Sequence, residues 1–307
     1  MEDTQQTRCG YVTLVGRPNV GKSTLLNAML GEKLAITSAK PQTTRNRIPG
    51  ILTRRGTTQL VFLDTPGLHH ADGPFHDYMN EVARDAVGET DVVGLMVDTG
   101  MSREGEVGVS PLIEGVLSQL RGRAVPVVLI LNKVDRLEKT QLLPIIERWA
   151  AKFPFADIVP VSALGGDGVE GLVDVFERLV PEGPLLYPAD ALTDLPERFI
   201  AAEIIREQVF SRLKKELPYS TAVVIESWTE KSSQGRVDIQ AVIAVERDSQ
   251  KGIIIGKQGS MLRSIGQAAR HELQTLLGTR VVLKLFVKVE KGWTRSSTQL
   301  KKFGYQK

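Results

Sequence analysis

One stretch of the chain combines glycine spacing and charge in a way that suits phosphate binding. Residues 16–23 read G-x-x-x-x-G-K-S, between an apolar run at 11–15 and a helical pattern that Gly31 can end. Backbone N–H groups of such a loop attract phosphate oxygens, Lys22 can reach the terminal phosphates, and the Ser23 hydroxyl can ligate Mg²⁺. This context predicts a nucleotide phosphate site formed by Gly16, Arg17, Pro18, Asn19, Val20, Gly21, Lys22, Ser23 and Thr24.

Two further loops carry residues that can complete a magnesium site. Residues 40–45 read K-P-Q-T-T-R, and a threonine there can ligate Mg²⁺ when a γ-phosphate is present. The pattern does not decide whether Thr43 or Thr44 is the ligand, and Thr44 is taken as the candidate. Asp64 ends an apolar strand within D-T-P-G and can hold Mg²⁺ directly or through water, while Gly67 lets its N–H approach the γ-phosphate. The magnesium candidates are Ser23, Thr44 and Asp64, and the catalytic candidates are Lys22, Asn19, Thr44 and Gly67.

The sequence N-K-V-D at residues 132–135 indicates which base is bound. Guanine presents donors at N1 and N2, and Asp135 can accept both, whereas adenine would leave this carboxylate unpaired. Asn132 can bridge the base and the loops, and the stem of Lys133 can lie against the ring. After the last predicted strand, Ser162, Ala163 and Leu164 can offer a backbone N–H to the guanine O6. The pattern therefore predicts GTP and GDP as ligands.

These motifs, in this order and each at the end of an apolar run, resemble those of the GTPase superfamily. Leu68 follows D-T-P-G where many members of the superfamily carry a water-orienting glutamine, a task that leucine cannot perform. In bacterial GTPases that share an apolar residue here, a phosphate-loop asparagine matching Asn19 helps to bind K⁺. The resemblance thus implies Mg²⁺-dependent GTP hydrolysis that K⁺ stimulates.

Apolar runs alternate with helical patterns through residue 180, which predicts a mostly parallel sheet with helices on both faces. Ligands of such sheets bind at the carboxyl ends of the strands, where the motifs fall. We expect strands at 11–15, 48–53, 59–63, 92–97, 127–131 and 158–161, and helices near 74–87, 111–121, 141–151 and 168–179.

Composition is that of an ordinary globular protein, with 307 residues that are 42% hydrophobic and 24% charged. Cys9 is the single cysteine, and neither a secretory signal nor a bilayer-spanning apolar run is visible, so we expect a cytoplasmic protein. Residues 1–184 carry 19 basic and 23 acidic side chains, whereas residues 185–307 carry 20 and 13. This basic second part predicts a polyanionic partner, with nucleic acid ahead of an anionic membrane surface.

Prolines concentrated between residues 181 and 196 indicate a linker, after which Asp194 can cap a helix that runs toward residue 215. Two strands, a short helix, a helix at 261–277 and a strand at 281–289 give the order αββααβ. A G-x-x-G turn at Gly256 to Gly259 lets the backbone approach four nucleotides, as in a KH domain. Trp293 and Tyr305 in the basic tail are expected to be exposed. The RNA-binding candidates are Ile255, Gly256, Lys257, Gln258, Gly259, Arg263 and Arg270.

A GTPase domain with the sequence P-Q-T-T at residues 41–44, followed by a KH-like domain, resembles the Era family over nearly the whole chain. The fold expected is α/β: a P-loop GTPase domain at 1–180, a linker at 181–196, and a smaller α+β KH-like (type II) domain at 197–307. The resemblance implies binding to the 3′ end of small-subunit ribosomal RNA, a role in assembly of the small ribosomal subunit, and monomeric action. The alternative is a regulatory GTPase whose basic domain docks on a protein or peripherally on the anionic inner membrane.

Overall fold

The computed structural model describes residues 6–38, 40, 42–67, 73–102, 111–213 and 217–305, which form two compact units. The first unit falls within Met1–Ala35, Thr44–Ala71 and Met79–Asp194, and the second within Ile36–Thr43, Asp72–Tyr78 and Leu195–Lys307. Two short segments from the first half of the chain thus pack with its C-terminal part. The predicted domain limits at residues 180 and 196 stay predictions.

The elements of the first 194 residues alternate strongly between strand and helix, as the apolar runs predict. They are β1 (Arg8–Gly16), α1 (Lys22–Leu30), β2 (Ile48–Arg54), β3 (Thr58–Asp64), α2 (Pro74–Gly88), β4 (Val92–Asp98), α3 (Pro111–Leu120), β5 (Val127–Asn132), α4 (Lys139–Ala150), β6 (Asp157–Val161) and α5 (Val169–Leu179).

Six strands form one sheet in the order β2-β3-β1-β4-β5-β6, parallel except for β2, which runs antiparallel to β3. Side chains of α3 and α4 join one buried cluster with β4 and β5, while α1 and α5 lie against the opposite face, where Phe62 and Phe176 pack edge to face. The central strands are apolar throughout because both faces are covered. The predicted mostly parallel sheet with helices on both faces is confirmed.

The register of the sheet aligns the strand ends that carry the motifs. Leu14 pairs with Asp64, Gly16 with Met96, and Asn132 with Val161. Because the strands are parallel, their carboxyl ends reach the same edge of the sheet. The phosphate loop, D-T-P-G, N-K-V-D and S-A-L segments therefore emerge side by side.

The proline-rich stretch up to Asp194 is anchored to the first unit by hydrogen bonds. Gln59 on β3 accepts from the backbone N–H groups of Leu186 and Tyr187 at 2.8 and 2.9 Å. The N–H of Ile51 donates to the Leu192 carbonyl at 2.8 Å. These bonds make the stretch an addition to the edge of the sheet.

The second unit contains α6 (Glu197–Arg212), β7 (Ala222–Lys231), β8 (Arg236–Val245), α7 (Asp248–Ile255), α8 (Ser260–Leu277), β9 (Arg280–Val289) and α9 (Ser297–Lys302). Its sheet has the order β7-β8-β9, with β8 antiparallel to β7 and parallel to β9. Helix α6 packs on β7 and α8, and α8 packs on β9. The predicted αββααβ order is confirmed, and α9 follows it.

Two local expectations about this unit are wrong. Helix α6 starts after Pro196, whose extended ψ of 142° leaves Asp194 outside the first turn, so Asp194 does not cap it. Trp293 is fully buried and Tyr305 is 6% exposed. Both rings pack on Phe75, with centroids 5.5 and 5.0 Å away, because large aromatic surfaces gain most from burial.

In the described parts of the chain, every helix is too short or too polar to cross a membrane.

Candidate functional site

The phosphate loop takes a conformation that depends on glycine. Gly21, with φ 105°, immediately precedes α1, and Asn19 also has a positive φ of 63°. A Cβ on Gly16 would lie 2.5 Å from the Met96 carbonyl oxygen, so a larger residue cannot occupy this position without a shift of β1 or β4. The loop thus turns tightly from β1 into α1, and the N–H groups at the start of the helix face the loop.

Lys22 lies inside this turn and is only 6% exposed. Its Nζ donates to the carbonyl oxygens of Gly16 and Arg17 at 3.2 and 3.3 Å. Burial lowers the pKa of Lys22 to about 8, and the charge of Asp64 opposes that shift. The ammonium group is therefore held where phosphate oxygens would compensate for its desolvation.

Ser23, Thr44 and Asp64 converge on one point beside the loop. The Ser23 hydroxyl donates to Asp64 Oδ2 at 2.6 Å, the Thr44 hydroxyl donates to the same oxygen at 3.1 Å, and the two hydroxyl oxygens are 2.8 Å apart. Asp64 is fully buried, which raises the pKa of its carboxyl, and its Oδ1 has no hydrogen-bond partner in the described structure. Two hydroxyls and an unsatisfied carboxylate oxygen are hard oxygen donors of the kind that Mg²⁺ takes.

The hydroxyl of Thr43 has a different hydrogen-bond partner from that of Thr44. It donates to the Lys40 carbonyl at 2.7 Å. Of the two threonines that the sequence leaves open, the structure brings Thr44 to Ser23 and Asp64.

Gly67 lies close to the phosphate loop at Pro18. A Cβ at this position would lie 2.8 Å from both Cα and N of Pro18. The absence of a side chain is therefore what allows the D-T-P-G segment to approach the loop. Leu68, which follows, lies outside the described residues.

Asn132 links the phosphate loop to the S-A-L segment, the two segments on either side of the predicted guanine site. It is 2% exposed, its Nδ2 donates to the Val20 carbonyl at 2.6 Å, and its Oδ1 accepts from the Ala163 N–H at 3.0 Å. Asp135 is exposed and accepts from the Ser162 hydroxyl at 2.6 Å. Hydrogen bonds thus connect the N-K-V-D segment with both the phosphate loop and the S-A-L segment.

Lys133 has a positive φ of 67° and crosses over the phosphate loop. Its Nζ donates to the Asn19 carbonyl at 2.8 Å and pairs with Asp98 Oδ2 at 2.6 Å. Sequence reasoning missed Asp98, although its position at the end of β4, next to Asn132 in the sheet register, is a usable signal.

The remaining nucleotide candidates differ in exposure. Val20 is buried, Thr24 is partly buried in α1 directly after Ser23, and Leu164 is 83% exposed. Arg17 and Pro18 are partly buried.

The G-x-x-G turn lies between α7 and α8. Gly256, Gln258 and Gly259 all have positive φ values, of 72°, 51° and 78°. A Cβ on Gly256 would lie 2.7 Å from Met261 Cβ, which makes glycine necessary there. Lys257 and Gln258 are exposed at the tip of the turn, and Ile255 is half-buried before it. The backbone of the turn is therefore open to a ligand.

Arg263 and Arg270 are exposed on α8 and stand seven residues apart, which puts them on the same side of the helix. In the described structure neither guanidinium has an ion pair, and the same holds for the Lys257 ammonium. These three cations are available to an anionic ligand.

Sequence reasoning missed a buried arginine that donates a hydrogen bond to the loop at residues 40–45, which contains Thr43 and Thr44. Arg206 on α6 is 1% exposed, pairs with Glu203, and donates through Nη2 to the Thr43 carbonyl at 2.5 Å. The Thr37 N–H donates to Glu207 Oε1 at 3.0 Å, and Lys40 Nζ donates to the Phe210 carbonyl. Within the second unit, α6 therefore fixes the backbone that leads directly into Thr44.

Comparison with known families divides the chain in the same two parts. A family profile described as "50S ribosome-binding GTPase" matches residues 11–133, and a profile described as "KH domain" matches residues 216–294.

Curated relatives match the whole chain. A protein named GTPase Era from Geotalea uraniireducens is 51% identical over 302 residues, which are 98% of this chain and 99% of the relative. GTPase Era from Lactobacillus delbrueckii is 44% identical over 307 residues, covering 100% of this chain and 99% of the relative.

Two solved structures have the same architecture. One is Era in complex with MgGDPNP and nucleotides 1506–1542 of 16S ribosomal RNA, with a TM-score of 0.92 and 38% identity over 98% of this chain and 100% of that one. The other is a variant of Aquifex aeolicus Era bound to GDP and AlF4⁻, with a TM-score of 0.93, 38% identity and the same coverage.

Proposed function

The chain belongs to the Era family of GTPases, and on that premise we propose that it binds the 3′ end of small-subunit ribosomal RNA under control of GTP and acts in small-subunit assembly. One observation carries the proposal. The relative that binds MgGDPNP and 16S ribosomal RNA nucleotides matches this chain over 98% of its length with a TM-score of 0.92. This chain has both a nucleotide loop and an open G-x-x-G turn in the corresponding units.

The phosphates of GTP are held by the loop N–H groups and Lys22. Ser23, Thr44 and Asp64 would hold Mg²⁺, which supplies positive charge against the β- and γ-phosphate oxygens when bound. The hydroxyl oxygens of Ser23 and Thr44 and the unsatisfied Oδ1 of Asp64 would be the ligands of the ion, the carboxylate either directly or through a water. The N–H of Gly67 stands near the loop and would donate to the γ-phosphate.

Guanine specificity rests on Asp135, whose carboxylate accepts from N1 and N2 of the base. The Ser162 hydroxyl orients that carboxylate at 2.6 Å, and the Ala163 N–H is held by Asn132. Adenine would leave the Asp135 charge without its donors, at a cost of several powers of ten in affinity.

We propose that K⁺ stimulates hydrolysis through Asn19. Asn19 is an exposed residue of the phosphate loop and has a positive φ of 63°. A monovalent cation there would supply the positive charge that an arginine finger gives other GTPases. Turnover should fall when sodium replaces potassium, and Asn19→Ala should remove that difference; equal rates in both salts in the unaltered protein would count against the role.

Coupling between nucleotide and RNA would run through α6. Arg206 holds the carbonyl of Thr43, the residue before the magnesium candidate Thr44. On the same helix, Gln208 donates to Glu272 at 2.6 Å and Arg212 donates to Ser264 at 3.1 Å, and both partners belong to α8. A conformational change of the loop at residues 40–45 on binding of the γ-phosphate would therefore shift α6 and, through it, α8, the helix that follows the G-x-x-G turn.

The deciding experiment measures binding of the RNA fragment 1506–1542 at fixed salt, with GDP or with the analogue GDPNP. The unaltered chain is compared with Lys257→Asp plus Gln258→Asp, and with Lys139→Asp plus Lys301→Asp as a control for charge elsewhere on the surface. We expect tighter binding with GDPNP, lost in the loop variant and kept in the control.

Weak RNA binding that is the same with GDP and GDPNP, and the same in the unaltered chain, the loop variant and the control variant, would mean nonspecific phosphate attraction. That result would favour a regulatory GTPase that docks on a protein or a membrane. Monomeric action, cytoplasmic location and peripheral contact with an anionic membrane stay predictions from the sequence.

A further inference from the structure

The sheet of the second unit has one face that is turned away from α7 and α8. This face is exposed along β9, whereas Ala222, Val242 and Ala244 on it are buried. A Cβ on Gly266 of α8 would lie 3.4 Å from Leu285 Cδ1, so Leu285 faces the helices. Because side chains alternate along a strand, the neighbours of Leu285 at positions two apart share that face, and the residues between them point the other way. We define the open sheet face by those other residues of β9 and their register partners: Arg280, Val282, Lys284, Phe286 and Lys288, with Arg236, Asp238, Gln240, Val242 and Ala244, and Lys231, Thr229, Ser227, Val224 and Ala222.

Cations predominate on the open sheet face. Its register positions hold five Lys or Arg side chains and a single carboxylate, Asp238. Lys231 pairs with Asp238 at 2.7 Å, and Arg236 pairs with it at 2.9 Å, so that acid is already neutralised. Within the described structure neither Lys284 nor Arg280 has an ion pair, and both are exposed. Lys288 pairs with Glu290 at 3.3 Å, so the uncompensated positive charge of this face is that of Lys284 and Arg280.

An exposed aromatic ring stands in the middle of these cations. Phe286 is 49% exposed although phenylalanine is normally buried in a sheet. It rests beside Val242, which is 7% exposed, and lies between Lys284 and Lys288 on the edge strand β9. Residues two apart on one strand are separated by about 7 Å, which brings a cation to each side of the ring.

We propose that the open sheet face is a second RNA-binding surface, on which a nucleobase stacks on Phe286 while Lys284 and Arg280 contact phosphates of the same single strand. The inference rests on the proposed RNA-binding function and adds a site to it. The G-x-x-G turn joins α7 and α8, which pack on the other face of the sheet, so the two surfaces take different stretches of RNA.

Charge and composition favour a nucleic acid over a protein on this face. The buried centre of a protein interface is depleted in charge and enriched in apolar and aromatic side chains. Here one exposed ring lies between Lys284 and Lys288 on the same strand, with Arg280 further along it, and an aromatic ring beside cations is the combination that holds a single strand by stacking and phosphate contact.

The test uses the full chain and the RNA fragment 1506–1542 in fluorescence anisotropy over a range of salt. Phe286→Leu keeps the apolar contact with Val242 but loses the stacking ring, and it should weaken binding by about 5-fold to 10-fold. Lys284→Gln plus Arg280→Gln should reduce the slope of log affinity against log salt by about 1.4, since each phosphate contact on a single strand contributes about 0.7. Lys139→Gln plus Lys301→Gln serves as the control and should leave affinity and slope unchanged.

The same variants are then placed in the Lys257→Asp plus Gln258→Asp background. Losses from the two surfaces should multiply, because distant sites contribute independently to the free energy of binding. RNA affinity that responds to the G-x-x-G variant but not to the open-face variants would overturn this inference and leave the proposed function standing. Affinity that responds only to the open face would instead refute the role of the G-x-x-G turn.

A second measurement does not depend on any variant. RNA containing 4-thiouridine, irradiated with the unaltered chain, should cross-link to the peptide that carries Phe286 as well as to the G-x-x-G peptide. Cross-links confined to the G-x-x-G peptide would contradict the proposal. Open-face variants that bind RNA normally but no longer bind small-subunit particles would also overturn it, because the face would then contact a protein.

Discussion

Replacing Asn132 with alanine tests how the phosphate loop and the guanine end are held together. The side chain is 2% exposed and makes two hydrogen bonds, to the Val20 carbonyl at 2.6 Å and from the Ala163 N–H at 3.0 Å. The substitution leaves a buried acceptor and a buried donor without partners, each at a cost of about 1–3 kcal/mol. The sum is about 2–6 kcal/mol, and we expect the lower half because water can enter the space that the side chain leaves.

This loss is measured by urea unfolding of the nucleotide-free protein, followed by circular dichroism, with the free energy of unfolding taken from midpoint and slope. Asn132→Asp is the matched variant, since it keeps the acceptor for Ala163 but loses the donor to Val20. Asp135→Asn, at an exposed position, is the control and should cost less than about 1 kcal/mol. An Asn132→Ala variant as stable as this control would show that the two hydrogen bonds do not hold the loops.

Four further outcomes follow from the geometry of the site. Asp135→Asn should shift preference from GTP toward xanthosine triphosphate by at least about 100-fold, and unchanged GTP affinity would remove Asp135 from base recognition. Thr44→Ala should weaken Mg²⁺-dependent GDPNP binding by about 10-fold, whereas Thr43→Ala should not; equal effects would contradict the assignment. Gly67→Ala introduces a Cβ 2.8 Å from Pro18 Cα and should slow GTP turnover while GDP affinity stays nearly unchanged; unaltered turnover would speak against close approach. Arg206→Gln should abolish the difference in RNA affinity between GDP and GDPNP, and a preserved difference would exclude α6 as the link.

The sequence predicts the nucleotide motifs well because each follows an apolar run. Parallel strands bring their carboxyl ends to one edge, so Ser23, Asp64 and Asn132 could be assigned to one region without coordinates. The boundaries of strands such as β4 and β5 follow from the same apolar runs, since a strand covered on both faces is apolar throughout.

The choice between Thr43 and Thr44 lies beyond local patterns. It depends on where the loop backbone is held, and Arg206 holds it from a position 163 residues later in the chain. Arg206 is one of three arginines in α6, and the local sequence gives no sign that its guanidinium is buried. The sequence therefore predicts that one of the two threonines is a Mg²⁺ ligand but does not predict which one.

The aromatic tail was misjudged for a related reason. The many charges around Trp293 and Tyr305 favour an exposed segment, but Phe75, more than 200 residues earlier, gives both rings a partner. Long-range packing of this kind leaves no periodicity in the tail itself.

Reciprocal linkage tests the central claim, GTP-dependent RNA binding, most directly. The affinity for GDPNP is measured in the absence and in the presence of saturating RNA fragment 1506–1542, and the affinity for GDP serves as the reference. If the nucleotide controls RNA binding, RNA must raise GDPNP affinity relative to GDP by the same factor by which GDPNP raises RNA affinity relative to GDP. We predict equal factors greater than one. A GDPNP-to-GDP affinity ratio that RNA leaves unchanged would contradict the account.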